Sequence, residues 1–425
     1  MKRSLVLLLA GMGAVGAIAP SVSASAQEVT VFCEGLGFGC PTMQPLADEF
    51  NSNNPGMTVN LETVTIQTIL ESLPVQLESG MGPDGSVVVD FGGLSRYYLD
   101  LAPYVDVERF EAEFPQLLQW LRGGDEGDAI YGMPTSQTLN GAFVNLTLFE
   151  QAGVPVPEEG ATWEEWAEAT RQVAEATGTD FAMEMDRSGH RFASLAISYG
   201  AELVDEEGRP VIDEGLREAI EQFVAWHHDG TMPMDLWGAT GGATTRDLFT
   251  DFLNANVVFY FGGSWQLNRM DTEVGDLFEW AVVPAPCGPS SCTVMPGGGA
   301  LVAFNTTDNP EVVGAFIDFL SMQENYERVI AVSKDIPGVQ SVIDEGVEYV
   351  DASERTVAAL ESFTAQIPKI DAAAYRFQGW PFQRAMMNAM TTRIGQVLNG
   401  ELTVDAALER IEADVNQAID SANVQ

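Results

Sequence analysis

The chain has 425 residues and little of what nucleic acids, anionic membranes or metals require of a partner. It holds three lysines, Lys2, Lys334 and Lys369, and its 20 Lys plus Arg face 62 Asp plus Glu, for a formal net charge of −42. Nucleic acid and anionic lipid bind to clustered positive charge, which this surface does not offer. The acids are dispersed rather than in runs, and with lysine this scarce they suggest a salty medium, where screening relieves self-repulsion. Histidine is confined to His190, His227 and His228, and cysteine to two close pairs, Cys33/Cys40 and Cys287/Cys292. Neither pair has a His or Cys nearby at zinc spacing, so no metal site and no cofactor are expected. There is no Walker loop, and Ser264 lies in Gly-Gly-Ser-Trp rather than in a nucleophile elbow. With this many acids, a pair of carboxylates at glycosidase separation stays open on sequence alone.

Only one long apolar run occurs, Leu5 to Ala19, about 15 residues against the roughly 20 that span a bilayer. Lys2 and Arg3 precede it and Ala24-Ser25-Ala26 follows, the layout of a secretory signal over residues 1–26, cleaved near Ala26. Loss of Lys2 and Arg3 takes the charge from −42 to −44. An exported, periplasmic chain without a membrane anchor is the expectation, and in that oxidising compartment an even number of cysteines reads as two local disulfides. The remaining length exceeds what one core usually organises, so two domains are expected.

Strands and helices alternate from the start. Val29–Phe32 and Thr58–Val64 read as strands, with a helix between them that Thr42 can cap; Val87–Phe91 reads as a third. Ile66 to Ser79 carries its apolar residues at helical spacing, with Pro74 as a kink. Leu139–Asn145, Val257–Phe261, Trp280–Val283 and Ala300–Phe304 read as further strands. Thr162-Trp163-Glu164-Glu165 is a capping box that opens a helix to about Ala176, and helices are expected over 215–228, from Pro310, and over 403–419. This alternation argues for an α/β architecture with mainly parallel sheets flanked by helices.

The order of segments resembles the family 1 extracellular solute-binding proteins of ABC importers, the maltose-binding-like receptors. The likeness runs through "FNSNNPGMTVNLETV", through "IYGMPTSQTLNGAFVNLTLFEQAGVPVPEEGATWEEWAEATRQV", where Val144 replaces the usual Tyr before Asn145, and through "FLNANVVFYFGGSW". It continues in "NPEVVGAFIDFLSMQENYERV" and "VLNGELTVDAALERIEADVNQAI". The resemblance implies a two-lobed periplasmic binding protein fold, with lobes at 27–138 plus 283–330 and at 139–282 plus 331–425. It implies a small carbohydrate held between the lobes by hinge closure, a membrane permease as partner, a monomer, and no turnover. A receptor for a polyol, a phosphorylated polyol or a polyamine is the alternative, and a secreted carbohydrate-active enzyme a more distant one.

A sugar presents apolar faces and a hydroxyl rim, so the cleft should combine flat aromatics with amides, carboxylates and arginine. Trp265 follows Gly262-Gly263-Ser264 at a strand end and is the first stacking candidate, with Trp380 in "YRFQGWPFQ" and Trp237 in "DLWGATGG" behind it. Trp120, Trp163, Trp166 and Trp226 lie on helix-like stretches and read as core. Asp90 ends the third strand, Gln137 and Thr138 fall at a crossing segment, Gly298 centres a glycine trio, and Arg376 could form paired hydrogen bonds. Glu184 and Asp186 are weaker candidates in the second lobe. The opening stretch "FCEGLGFGCPTMQPL" resembles a dinucleotide loop, but Cys40 stands where the third glycine belongs. A Cys33–Cys40 clamp that presents Glu34 and Phe38 to a ligand is one reading; a scaffold staple and a metal or redox site are the others.

Overall fold

The structure, a computed structural model, describes residues 27–115, 117–123, 127–239 and 248–423. The expected export signal, 1–26, lies outside the described residues.

Among the described residues ten strands occur in chain order: β1 (Gln27–Cys33), β2 (Met57–Thr63), β3 (Gly85–Val88), β4 (Arg122–Gly123), β5 (Ala129–Ile130), β6 (Met133–Asn145), β7 (Phe181–Met185), β8 (Val257–Gly263), β9 (Trp280–Val283) and β10 (Pro296–Ala303). Apart from the short β4–β5 hairpin they form one path, β2-β1-β3-β10-β6-β8-β7, with β9 also on β6. Pairing is parallel at the two ends, β1 with β2 and β3, and β7 with β8. It is antiparallel in the middle, where β10 joins β3 to β6, and β6 carries β8 and β9.

β6 explains that middle. Met133–Leu139 pairs with β10, whereas Asn140–Val144 pairs with β8, so one strand runs through both halves of the molecule. The sequence shows only its apolar second half as a strand. Thr135, Ser136 and Gln137 are polar yet buried, because they sit at the junction of the halves rather than on a solvated face.

The buried residues form two clusters. The first takes in Val31, Phe50, Val88, Leu301 and Phe316; the second takes in Phe143, Trp163, Phe192, Tyr260 and Met390. Val294 and Met295 pack in the second cluster, and Val339 and Val342 in the first, so the packing changes hands later than residues 283 and 330.

Local rules account for most helix ends. Thr162 and Glu165 form the reciprocal capping box at Trp163–Thr177, at 3.1 and 2.8 Å. Helix Cys40–Asn53 begins before Thr42: Gly39 is its N-cap, and the Thr42 hydroxyl accepts from the Gly39 N–H at 3.2 Å. A π-helical turn, Thr68–Ser72, precedes Leu73–Glu78. Pro74 can neither donate to the preceding turn nor tolerate its carbonyl, so the turn widens. Both disulfides form, Cys33–Cys40 and Cys287–Cys292.

Candidate functional site

A cavity of ≈ 270 Å³ lies at the junction of the two clusters, lined by residues of both. Three strand ends build it. After β1, the loop closed by Cys33–Cys40 contributes Glu34, Leu36, Gly37 and Phe38. After β3, Asp90 lines the wall, and its Oδ1 also accepts from the Gly93 N–H at 3.0 Å, so it anchors a turn and faces the cavity together. After β7, Asp186 leads to Ser188, whose hydroxyl accepts from the His190 N–H and opens helix Gly189–Ser198. That helix start delivers His190 and Arg191. The floor is the β6–β10 pair: a Cβ on Gly298 would lie 2.3 Å from the Ser136 carbonyl oxygen, so glycine is needed for this approach.

Of the residues expected from sequence, Glu34, Phe38, Asp90, Thr138, Trp265 and Gly298 line this cavity. Four do not. Gln137 is buried in strand pairing, its N–H donating to the Ile336 carbonyl at 3.0 Å. Trp237 is core: it is 2% exposed, packs on Phe223 and donates from Nε1 to the Met185 carbonyl at 2.9 Å. Arg376 donates to Val204 O and Trp380 to Gly208 O, and both line a separate cavity. Trp120, read as core, is half-buried and lines that separate cavity too. Of the weaker pair, Asp186 lines the main cavity, whereas Glu184 points into the protein at 1% exposure.

The sequence reading missed His190, Arg191, Asp335, Gln378, Gln383 and Arg384. "DRSGHR" carried a signal: a strand end, a serine cap and a helix start is where α/β folds place ligand groups. Arg191 is the hub. Its guanidinium lies 4.0 Å over the Trp265 ring, and its Nη2 lies 3.4 Å from Asp186 Oδ2. The Trp265 indole therefore already carries a cation on its ring.

Burial dominates the electrostatics. Desolvation pushes Glu34 up to about 7 against the pull of Arg191, and raises Asp90 against its Gly93 bond and Arg384. Asp335 is pushed up to about 6 by burial, although the Phe38 N–H and the Ser333 and Ser136 side chains favour its charged form. His190 is held down to about 3 by burial and then by Arg191. Its Nε2 faces the Pro296 carbonyl and its Nδ1 the Asn140 amide oxygen, each at 3.1 Å. Below the cavity, burial and then Asp251 and Asp186 push Glu184 up to about 8, and its Oε2 has no hydrogen-bond partner among the described residues.

These shifts fix a pH dependence. Glu34, Glu184 and Asp335 titrate higher folded than unfolded, so their contribution to stability is full below the ordinary carboxylate range and is lost as pH rises from there to about 8. His190 and His227, the latter held down to about 4 by burial, run the other way and cost stability below about pH 6.5. Stability should therefore rise from about pH 8 to about pH 6.5 and then flatten. Urea midpoints across that range check it, and Glu184→Gln should raise the midpoint at the alkaline end. A midpoint that falls on mild acidification contradicts it.

Known proteins match this description. The family model described as bacterial extracellular solute-binding protein matches residues 45–361. The lactose-binding protein of Rhizobium radiobacter is 26% identical over 363 residues, covering 81% of this chain and 79% of its own. The GacH receptor of Streptomyces glaucescens, solved unliganded and with acarbose, superposes with a TM-score of 0.76 at 18% identity, covering 92% of this chain and 98% of its own. Maltose-bound MalE3 of T. maritima gives 0.75 at 16% identity, covering 92% and 100%. The chain belongs to the bacterial extracellular solute-binding protein family, whose members bind rather than convert their ligands.

Proposed function

We propose that this protein is the exported receptor of an ABC importer, and that it captures a sugar or short oligosaccharide for a membrane permease. The observation that carries the ligand class is the lining of the cavity. Arg191, Arg384, Gln378, Glu34 and Asp90 offer donors and acceptors around a wall of Phe38, Ile66 and Leu70. Hydroxyl rims need such two-sided groups, and C–H faces need such a wall. A polyamine would need a surplus of ionised acids, but here two arginines face them and burial holds Glu34 and Asp335 towards their neutral forms. The relatives' names, for lactose and maltose, favour the same class.

The two clusters act as lobes, near the division at 27–138 plus 283–330 and 139–282 plus 331–425, and β6 and β10 cross between them. Ligand stabilises the closed arrangement through contacts with both lobes, and the monomer in that form is what the periplasmic face of the permease reads.

A thermal-shift screen of the purified mature chain over sugars, polyols and polyamines tests this. Stabilisation by a sugar, without product, is expected; at a hundredfold excess over Kd it amounts to about 2.7 kcal/mol. Stabilisation by polyamines alone, or steady hydrolysis of a stabilising glycan, overturns it.

A further inference from the structure

A second cavity, ≈ 310 Å³, lies beside the first, with Trp120, Asp205, Tyr375, Arg376 and Trp380 in its walls. Neighbouring residues of both lobes line the two cavities. On the first lobe, Asp90 lines the main cavity; the adjacent Phe91 stacks on Trp120 with ring centroids 5.7 Å apart and planes 14° apart, and Trp120 lines the second. On the other lobe, Gln378, Gln383 and Arg384 line the main cavity, while Gly379 to Pro381 line the second.

The lobes meet across this line with no side chain to spare. A Cβ on Gly379 would lie 2.8 Å from Trp120 Cδ1, and one on Gly92 would lie 2.5 Å from the Pro381 Cα. Tyr375 closes the outer side, its ring 6.1 Å from that of Trp120. The Trp120 indole, packed on Phe91 and against Gly379, thus stands at the boundary of the second cavity that faces the first. Beyond it the walls repeat the chemistry of the first: aromatic surface, a carboxylate and a guanidinium.

We propose that Trp120, shut against Gly379, sets the length of glycan this receptor accepts. A ligand that ends at Gln378 fits with the indole in place. A longer one must displace the indole to extend into the second cavity, and so forfeits the Trp120 contacts with Phe91, Tyr375 and Gly379. This inference rests on the carbohydrate reading above.

The test is calorimetric titration of malto- and cello-oligosaccharides, from the disaccharide to the hexasaccharide, into the native chain, Trp120→Ala and Trp120→Leu. Leucine keeps apolar packing on Phe91 if alanine costs too much stability. The native chain should bind short members best and lose about tenfold or more beyond them. Both variants should move the optimum to longer members, and Trp120→Phe should keep the native profile. Binding with no length preference, or the same profile in all proteins, overturns the gauge and leaves the carbohydrate reading standing. Silence from every glycan in every protein overturns the gauge, and the sugar screen above then decides the carbohydrate reading by itself.

Discussion

Arg191→Ala is expected to abolish ligand-induced stabilisation and to destabilise the ligand-free protein by about 1.5–3 kcal/mol, the cost of removing a charged partner from a buried carboxylate that keeps its others. The Arg191 and Asp186 side chains are 13% and 1% exposed, so their charges face each other with little solvent between them. Asp186 is otherwise committed to the structure beneath: it accepts from the Leu248 N–H at 2.9 Å and from the Tyr260 hydroxyl at 3.0 Å. Arg191 also opposes the desolvation of Glu34 across the cleft, so its loss raises that carboxyl further. Stacking on Trp265 fixes the plane of the guanidinium, and an ammonium cannot reproduce that fork. Arg191→Lys should therefore recover most of the stability and little of the binding. Trp265→Ala should weaken binding through a loosened Arg191 while the fold persists. Chemical denaturation with and without a stabilising sugar separates the two effects, and an Arg191→Ala protein with native affinity would sink the assignment.

Which of these features can be read from sequence follows from how local their causes are. The Thr162–Glu165 box, the proline-opened helix Pro310–Leu320 and strand Trp280–Val283 each depend on a few neighbouring residues, and each falls where the spacing puts it. The first half of β6 was hidden because a period-two or apolar pattern assumes that polar residues face water. Thr135, Ser136 and Gln137 are buried at a junction that only the folded chain creates. The aromatic candidates fail for the same reason. Trp237 and Trp380 sit in polar, glycine-containing stretches, yet their indoles donate to the carbonyls of Met185 and Gly208, far away in sequence. Trp265 was legible because a strand end places its loop at the cleft whatever the rest of the chain does. Arg191 and Arg384 were not, because nothing local distinguishes an arginine that turns into a cavity from one that pairs with a surface acid.

The Cys33–Cys40 bond joins these two threads, since its pairing is local and its consequence is not. Replacing both cysteines by alanine is expected to cost about 2.5 kcal/mol, the chain-entropy value for an eight-residue loop. It should also weaken ligand binding about tenfold, which the loss of global stability alone does not produce. Both cysteines are buried in the first core, at 0% and 3% exposure, so the ends of the loop stay seated when the bond is gone. What loosens is the stretch between them. Glu34 faces the cavity there, Gly37 holds a positive φ of 56° beside the Asp335 carboxylate, and the Phe38 N–H donates to that carboxylate. Asp335 precedes Ile336, which bridges to Gln137 on the crossing strand, so the loop is tied to the junction of the lobes as well as to the ligand space. Without the bond, these groups lose their fixed placement before closure, and binding must supply the ordering that the disulfide had already imposed. The matched control is Cys287→Ala/Cys292→Ala, which removes a loop that does not line the cavity and should leave affinity unchanged. Equal affinity in both double variants would make the Cys33–Cys40 loop a scaffold staple; loss confined to the first makes it the part of the site that the fold holds ready for ligand.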